Sequence, residues 1–378
     1  MAESQTKYTL ISADGHLNEP RDVWTSRVAK KDKDRVPRVD RLPDGDGWVF
    51  PGYDTTLPFS WGATAGRHPE DMGQWCTYDD INPGSYDPVA RVKEMQEDGV
   101  DAELIFGSNN PRTFVAGHED ADLHHEMIRA YNDFMSEFCS TAPDRLGGTA
   151  LLPNRGVEGC LKEIERLSRM PGFVAFLMQR YPSGEPSITS EDDAVWEAIE
   201  ASGKPLTIHV GLVEGKMGQG RRTVATNLPG TGHFYDAPKR MLQFIFAGVL
   251  DRFPKLRIPF IEVDCGWIPY FESQCDDNFL RHRKASLRDS KLTRLPSEYM
   301  QEFFPASFIT DPFAVDNRAR IGVHRMLWSS DYPHITTDWP LSWKTINATF
   351  ADVPPNEKHA ILCGNSLRLF KFDQVGSA

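Results

Sequence analysis

The chain has no excess of basic residues, no apolar run long enough to cross a bilayer, no paired-cysteine motif and no glycine-rich phosphate loop. Each absence closes off a class of function. With 42 Lys and Arg against 54 Asp and Glu the formal charge is −12, so nucleic acid or another phosphate-coated partner is not expected. A membrane span needs about 20 apolar residues, and none is present. The polar start MAESQTKYTL lacks the basic-then-apolar pattern of a secretory signal, which points to the cytoplasm. Six cysteines, Cys76, Cys139, Cys160, Cys265, Cys275 and Cys363, are scattered without CxxC spacing, so reduced structural thiols are expected rather than a zinc ribbon or a disulfide framework.

What is present is an alternation of short apolar runs with longer helical patterns. The runs are YTLISADGH (8–16), DAELIFGS (101–108), LGGTALLP (146–153), GFVAFLMQ (172–179), PLTIHVG (205–211), RIPFIEVDCG (257–266), ASFITD (306–311) and RMLWSSDYP (325–333). Continuous apolar strands between amphipathic helices indicate a parallel sheet buried on both faces. Eight of them predict an α/β fold, a (β/α)8 TIM barrel spanning 1–378 as a single domain. One of the helical patterns, DPVARVKEMQEDG (87–99), is expected to bury Val89, Val92, Met95 and Gln96. A long insertion rich in aromatics, about 20–85, follows the first strand and reads either as a lid or as a small satellite core. A second candidate lid, about 211–236, follows His209.

Reactive groups of such a barrel gather at the carboxyl ends of its strands. Asp14 and His16 are two residues apart, so on a strand both point to one side and suit a shared metal ion. His209 ends the fifth run and Asp331 the eighth, and closure of the ring brings all four together. Glu262 and Asp264 repeat the two-residue spacing at the end of the sixth run, where their oxygens are candidates for a second ion. Glu19, just past the first strand, is a candidate to reach the site, to cap, or to pair with Arg21. Carboxylates with imidazoles and no thiolate suit zinc, manganese or iron, one or two divalent ions per chain.

These segments resemble the amidohydrolase superfamily, in particular the amidohydrolase-2 branch that includes aminocarboxymuconate-semialdehyde decarboxylase. The likeness lies in ADGHLNEP, PLTIHVG, FIFAGVLDRFPKLRI, IEVDCGWIPYFESQ and MLWSSDYPH, and runs from about residue 8 to 370. The resemblance implies that Asp14, His16, His209 and Asp331 are metal ligands, that Asp331 doubles as a proton acceptor, and that the protein is a homodimer. The chain departs from its relatives in opening with Asp-x-His rather than His-x-His. It also has no lysine in GFVAFLMQ, and it places Glu262 where decarboxylases of the branch offer a histidine.

The expected activity is therefore hydrolysis of a C–N or C–O bond in a small, largely apolar molecule by a metal-activated water. Asp331, His334 or Glu262 would serve as the acid or base, and Arg112 and Arg180 are candidates to clamp a substrate carboxylate. Two alternatives use the same residues. One is O2-dependent hydroxylation at a non-heme diiron centre that also recruits Glu19. The other is non-oxidative decarboxylation of a cyclic or aromatic acid. His124, His125 and His233 lack a place at a strand end and are left outside the site.

Overall fold

The computed structural model describes residues 8–54, 56–58, 62–68, 75–215 and 235–372. Eight strands form one parallel sheet: β1 (Ile11–His16), β5 (Ala102–Phe106), β6 (Leu146–Leu151), β7 (Phe173–Leu177), β8 (Leu206–His209), β9 (Phe260–Ile261), β10 (Ala306–Phe308) and β11 (Met326–Trp328), in that spatial order. The ring closes just beyond β11. The His16 amide donates to the Tyr332 carbonyl at 2.7 Å, and the Asp331 amide donates to the Asp14 carbonyl at 3.0 Å. The eight expected strands are all present, because each is a run of apolar side chains that only a doubly covered parallel sheet can bury. Among the described residues no helix is long and apolar enough to cross a membrane.

Three further strands, β2 (Arg38–Leu42), β3 (Gly45–Val49) and β4 (Leu57–Pro58), make an antiparallel sheet in the insertion. Its aromatics pack inward as a chain of rings: Trp24 on Trp48 at 5.8 Å, Trp48 on Phe50 at 6.1 Å, and Phe50 on Phe114 at 5.4 Å. The insertion also reaches the mouth of the barrel. The Thr64 and Ala65 amides both donate to the Pro333 carbonyl, at 2.9 and 3.1 Å. The candidate lid falls mostly on 216–234, which lies outside the described residues.

Helix α1 (Pro88–Asp98) starts where Asp87 accepts the Ala90 amide and stops at Gly99, whose φ of 76° suits glycine. Its buried face is not the expected apolar stripe: Arg91, Glu94, Met95 and Asp98 face inward, whereas Val89 is 54% exposed. The reason is a buried ionic cluster. Arg91 pairs with Glu103 on β5 at 2.7 Å and donates to the carbonyls of His16 (2.9 Å) and Tyr332 (3.2 Å), so one guanidinium ties β1, β5 and the end of β11 together. This explains Gly15. A Cβ there would stand 2.1 Å from Glu103 Oε1, so the residue between Asp14 and His16 has to lack one.

Candidate metal centre

The strand ends gather four donors into a cup. Asp14 Oδ1 lies 3.2 Å from His16 Nε2 and 3.2 Å from His209 Nε2, the two imidazole nitrogens are 3.0 Å apart, and Glu262 Oε2 is 3.6 Å from His209 Nε2. Asp331 Oδ1 approaches His16 Nε2 at 3.4 Å from the other side and His334 Nδ1 at 3.0 Å. Asp14 and His16 are fully buried at the floor, while His209 and Glu262 retain 6% and 10% side-chain exposure at the rim, leaving access from the mouth.

Donor atoms sharing one cation at about 2.0–2.2 Å stand roughly 3.0–3.5 Å from one another. The spacings above match that pattern without being hydrogen-bond geometry for the whole set, since two imidazoles and a carboxylate cannot all satisfy each other. Two carboxylates and two neutral imidazoles also balance a divalent charge, so the donor set fits a divalent metal ion. His16 belongs to a second group as well, with Asp331 and His334.

Backbone and neighbours aim these groups. His16 Nδ1 faces the Gly107 carbonyl at 3.3 Å, which leaves Nε2 for the cup. Its ring stacks on His334 with centroids 3.8 Å apart, and Phe106 covers His209 at 4.7 Å. Val210, Glu262, Asp264 and Asp331 all have φ between 53° and 60°. For side chains with a Cβ, this left-handed geometry costs on the order of 1–3 kcal/mol per residue and persists where function or packing demands it. The Glu262 amide is held by Ser307 Oγ at 2.8 Å, and Thr336 donates its hydroxyl to Asp331 Oδ2.

The electrostatics follow from crowding without water. Burial, followed by the Asp331, Asp14 and Asp264 charges, pushes the Glu262 carboxyl well above its ordinary range. Burial also holds His16 well below the ordinary histidine value, with His334 and His209 adding to the effect. Burial lowers His334 too, but the adjacent Asp331 carboxylate outweighs it and the net shift is upward.

A family model described as amidohydrolase matches residues 57–372. The chain belongs to the amidohydrolase family. Gamma-resorcylate decarboxylase of Polaromonas sp. strain JS666 is 24% identical over 312 residues, 75% of this chain and 87% of the relative. An amidohydrolase from Mycobacterium avium subsp. paratuberculosis K-10 shares the fold with a TM-score of 0.74 at 18% identity, covering 97% of this chain and 98% of that one. A structure of 5-carboxyvanillate decarboxylase from Novosphingobium aromaticivorans DSM 12444, with bound manganese and 3-methoxy-4-hydroxy-5-nitrobenzoic acid, gives a TM-score of 0.69 at 16% identity over 96% and 97% of the two chains.

Within this chain, the sequence-derived site residues separate into two sets. Asp14, His16, His209, Glu262, Asp331 and His334 meet in the cup. Asp264 is in neither donor group, although its charge acts on Glu262; β9 ends at Ile261, and Glu262 and Asp264 beyond it both adopt left-handed φ, outside the regular strand geometry that the two-residue spacing assumes. Glu19 is buried with its Oε1 on the Ser108 amide at 2.9 Å, outside both donor groups, and Arg21 pairs with Asp46 instead. Arg112 is buried on α2 (Asn109–Gly117), its Nε donates to the Ser108 carbonyl at 3.3 Å, and its Nη2 has no partner among the described residues. Its charge is felt by His16, His334 and Glu262. Arg180 donates to the Gly215 carbonyl. Both ring nitrogens of His124 are engaged, by the Val115 carbonyl and the Asn154 amide. The sequence reading missed Arg91, Glu103, Ser307 and Thr336; only the small residue between Asp14 and His16 signalled that something pressed against β1.

Proposed function

We propose that this amidohydrolase-family enzyme catalyses the non-oxidative decarboxylation of an aromatic acid, in place of the hydrolysis expected from the sequence. The observation that carries the reading is Arg112. A guanidinium that is 1% exposed, with one nitrogen unpartnered among the described residues and its charge felt in a cup built for a cation, calls for an anionic ligand rather than a neutral ester or amide. Relatives aligned over three quarters of the chain are decarboxylases, which supports the same choice.

Asp14, His16, His209 and Glu262 would hold a divalent ion, which when bound would polarise a substrate oxygen. Arg112 pairs with the substrate's anionic oxygens, and Phe106, packed on His16 and His209, holds the imidazoles in place. The Asp331–His334 pair delivers one proton to the ring carbon bearing the carboxylate. The C–C bond then breaks, its electrons return to the ring, and CO2 leaves, so that a carboxylate and a proton give an arene and CO2. Arg180 is a second contact for the substrate carboxylate, Asp264 adds its charge to the field at Glu262, and Glu19 holds the Ser108 amide outside the donor set. The reading includes a cytoplasmic homodimer of one-domain chains, checked by sedimentation.

The test is CO2 release from gamma-resorcylate, 5-carboxyvanillate and related hydroxybenzoates by protein loaded with manganese or zinc, with and without oxygen. Equal turnover in both atmospheres is the expected result, and a folded, metal-replete protein that releases no CO2 from the panel overturns it. The carboxylate Glu262 at the place of a decarboxylase histidine supports a second reading, hydroxylation by O2 at two irons; two irons per chain and substrate-dependent oxygen consumption would establish it.

A further inference from the structure

The opposite end of the barrel holds a second cavity, of about 730 Å³, where β10 and β11 begin. That size is typical of a small-molecule site, for which about 300–1,000 Å³ is usual. Its charge runs against the rest of the chain. Arg257, Arg294, Arg325 and Arg368 line it with only Glu298 and Glu302 as carboxylates, in a protein whose formal charge is −12.

The carboxylates do not neutralise the arginines. Glu302 pairs with Arg294 at 2.8 Å and reaches Arg257 only at 4.0 Å, while Glu298 accepts the Leu295 amide at 2.7 Å. Arg257 otherwise donates to the Pro254 and Leu256 carbonyls, at 3.1 and 2.7 Å, and Arg368 to the Asn365 side chain. Arg368 has no close carboxylate among the described residues, and Arg257 has only the Glu302 that Arg294 already holds. Arg325, with 3% side-chain exposure, is fixed by Glu272 at 2.7 Å and the Ile321 carbonyl at 2.6 Å, so the deepest guanidinium is preorganised rather than a free surface arm.

We propose that this cavity binds a small oligoanion, a phosphate or a dicarboxylate, seated on Arg325 and closed over by Arg257 and Arg368. Arg368 without a close carboxylate and Arg257 with only a distant share of Glu302, beside the rigidly held Arg325, form a set of guanidinium donors suited to such oxygens. The catalytic cup lies at the other ends of the same strands, so occupancy here leaves the metal ligands untouched.

The test uses the manganese-loaded full chain titrated with inorganic phosphate and, separately, succinate, at constant ionic strength set with sodium chloride. Binding is followed by calorimetry and by 31P line width, because phosphate on the active-site manganese broadens severely and phosphate in the distant cavity does not. Saturable binding of at least one anion without severe broadening is expected, weakened at least tenfold by Arg368→Ala and by Arg257→Gln, with metal content and turnover unchanged. Saturable binding of phosphate but not succinate by the parent, or the reverse, supports the proposal and identifies the anion type. No saturable binding beyond chloride, binding that broadens with manganese, or equal affinity in the parent and both variants overturns the proposal.

Discussion

Beneath the floor of the cup, Arg91 and Glu103 form a buried cluster in which a positive charge meets a negative one and the remaining donors of the guanidinium end on carbonyls. One residue away, Asp14, His16, His209, Glu262 and Asp331 form another in which carboxylates and imidazoles crowd against their own kind. The first is complete as it stands and serves architecture. The second is short of positive charge, a shortfall that a divalent ion would make up. Burial alone therefore does not separate a structural ion cluster from a functional one; the internal balance of charge does.

The comparison can be broken hardest at His209. His209→Ala removes a donor from the unbalanced cluster, and losing an ion that provides several kcal/mol of transition-state stabilisation lowers turnover on the order of a thousandfold. Elemental analysis should show the metal gone while circular dichroism stays that of the parent. Arg91→Met does the reverse. It leaves Glu103 buried without its partner, and urea unfolding is expected to register a loss of about 3–5 kcal/mol. Stability unchanged by that substitution would show that the balanced cluster is not structural.

Gly15→Ala lies between the two clusters. Its new methyl meets Glu103 Oε1, and the expected cost is about 1–3 kcal/mol, read as a lower Tm together with weaker metal retention because Asp14 and His16 flank it. The mildest effect is a dependence on pH in the metal-free protein. Since the folded-state pKa of Glu262 is raised, the folded protein keeps a proton that the unfolded chain releases above about 4.5; the folded state then binds more protons, and this residue's contribution to stability falls as pH climbs through the window up to the folded value. Glu262→Gln should remove that component when stability is compared with the parent from pH 5 to 8. An identical pH dependence in both proteins would refute the crowding argument.

The barrel was legible because each strand is an apolar run between helices, and much of the cup because Asp14, His16, His209 and Asp331 each stand at the end of such a run. What escaped the sequence was whatever depends on departures from regular geometry. The two-residue rule served for Asp14 and His16 inside β1 but failed for Glu262 and Asp264, where left-handed residues end the strand early. The buried face of α1 was misread for a related reason, because Arg91 and Glu94 look like solvent-facing residues until β5 and Tyr332 provide them with partners. Glu19 looked like a ligand by its position and is instead held by a backbone amide that only the folded end of β5 presents.

Ring closure has a temporal meaning. Ser330, which hydrogen-bonds Ser12 at the seam, follows Asp14 by 316 positions, so a ribosome adds that many residues before Asp331 can join the first strand. Closure of the ring, and with it the placing of the Asp331–His334 pair against His16, is thereby deferred until long after the first strand is made, and a product terminated before Asp331 lacks that pair.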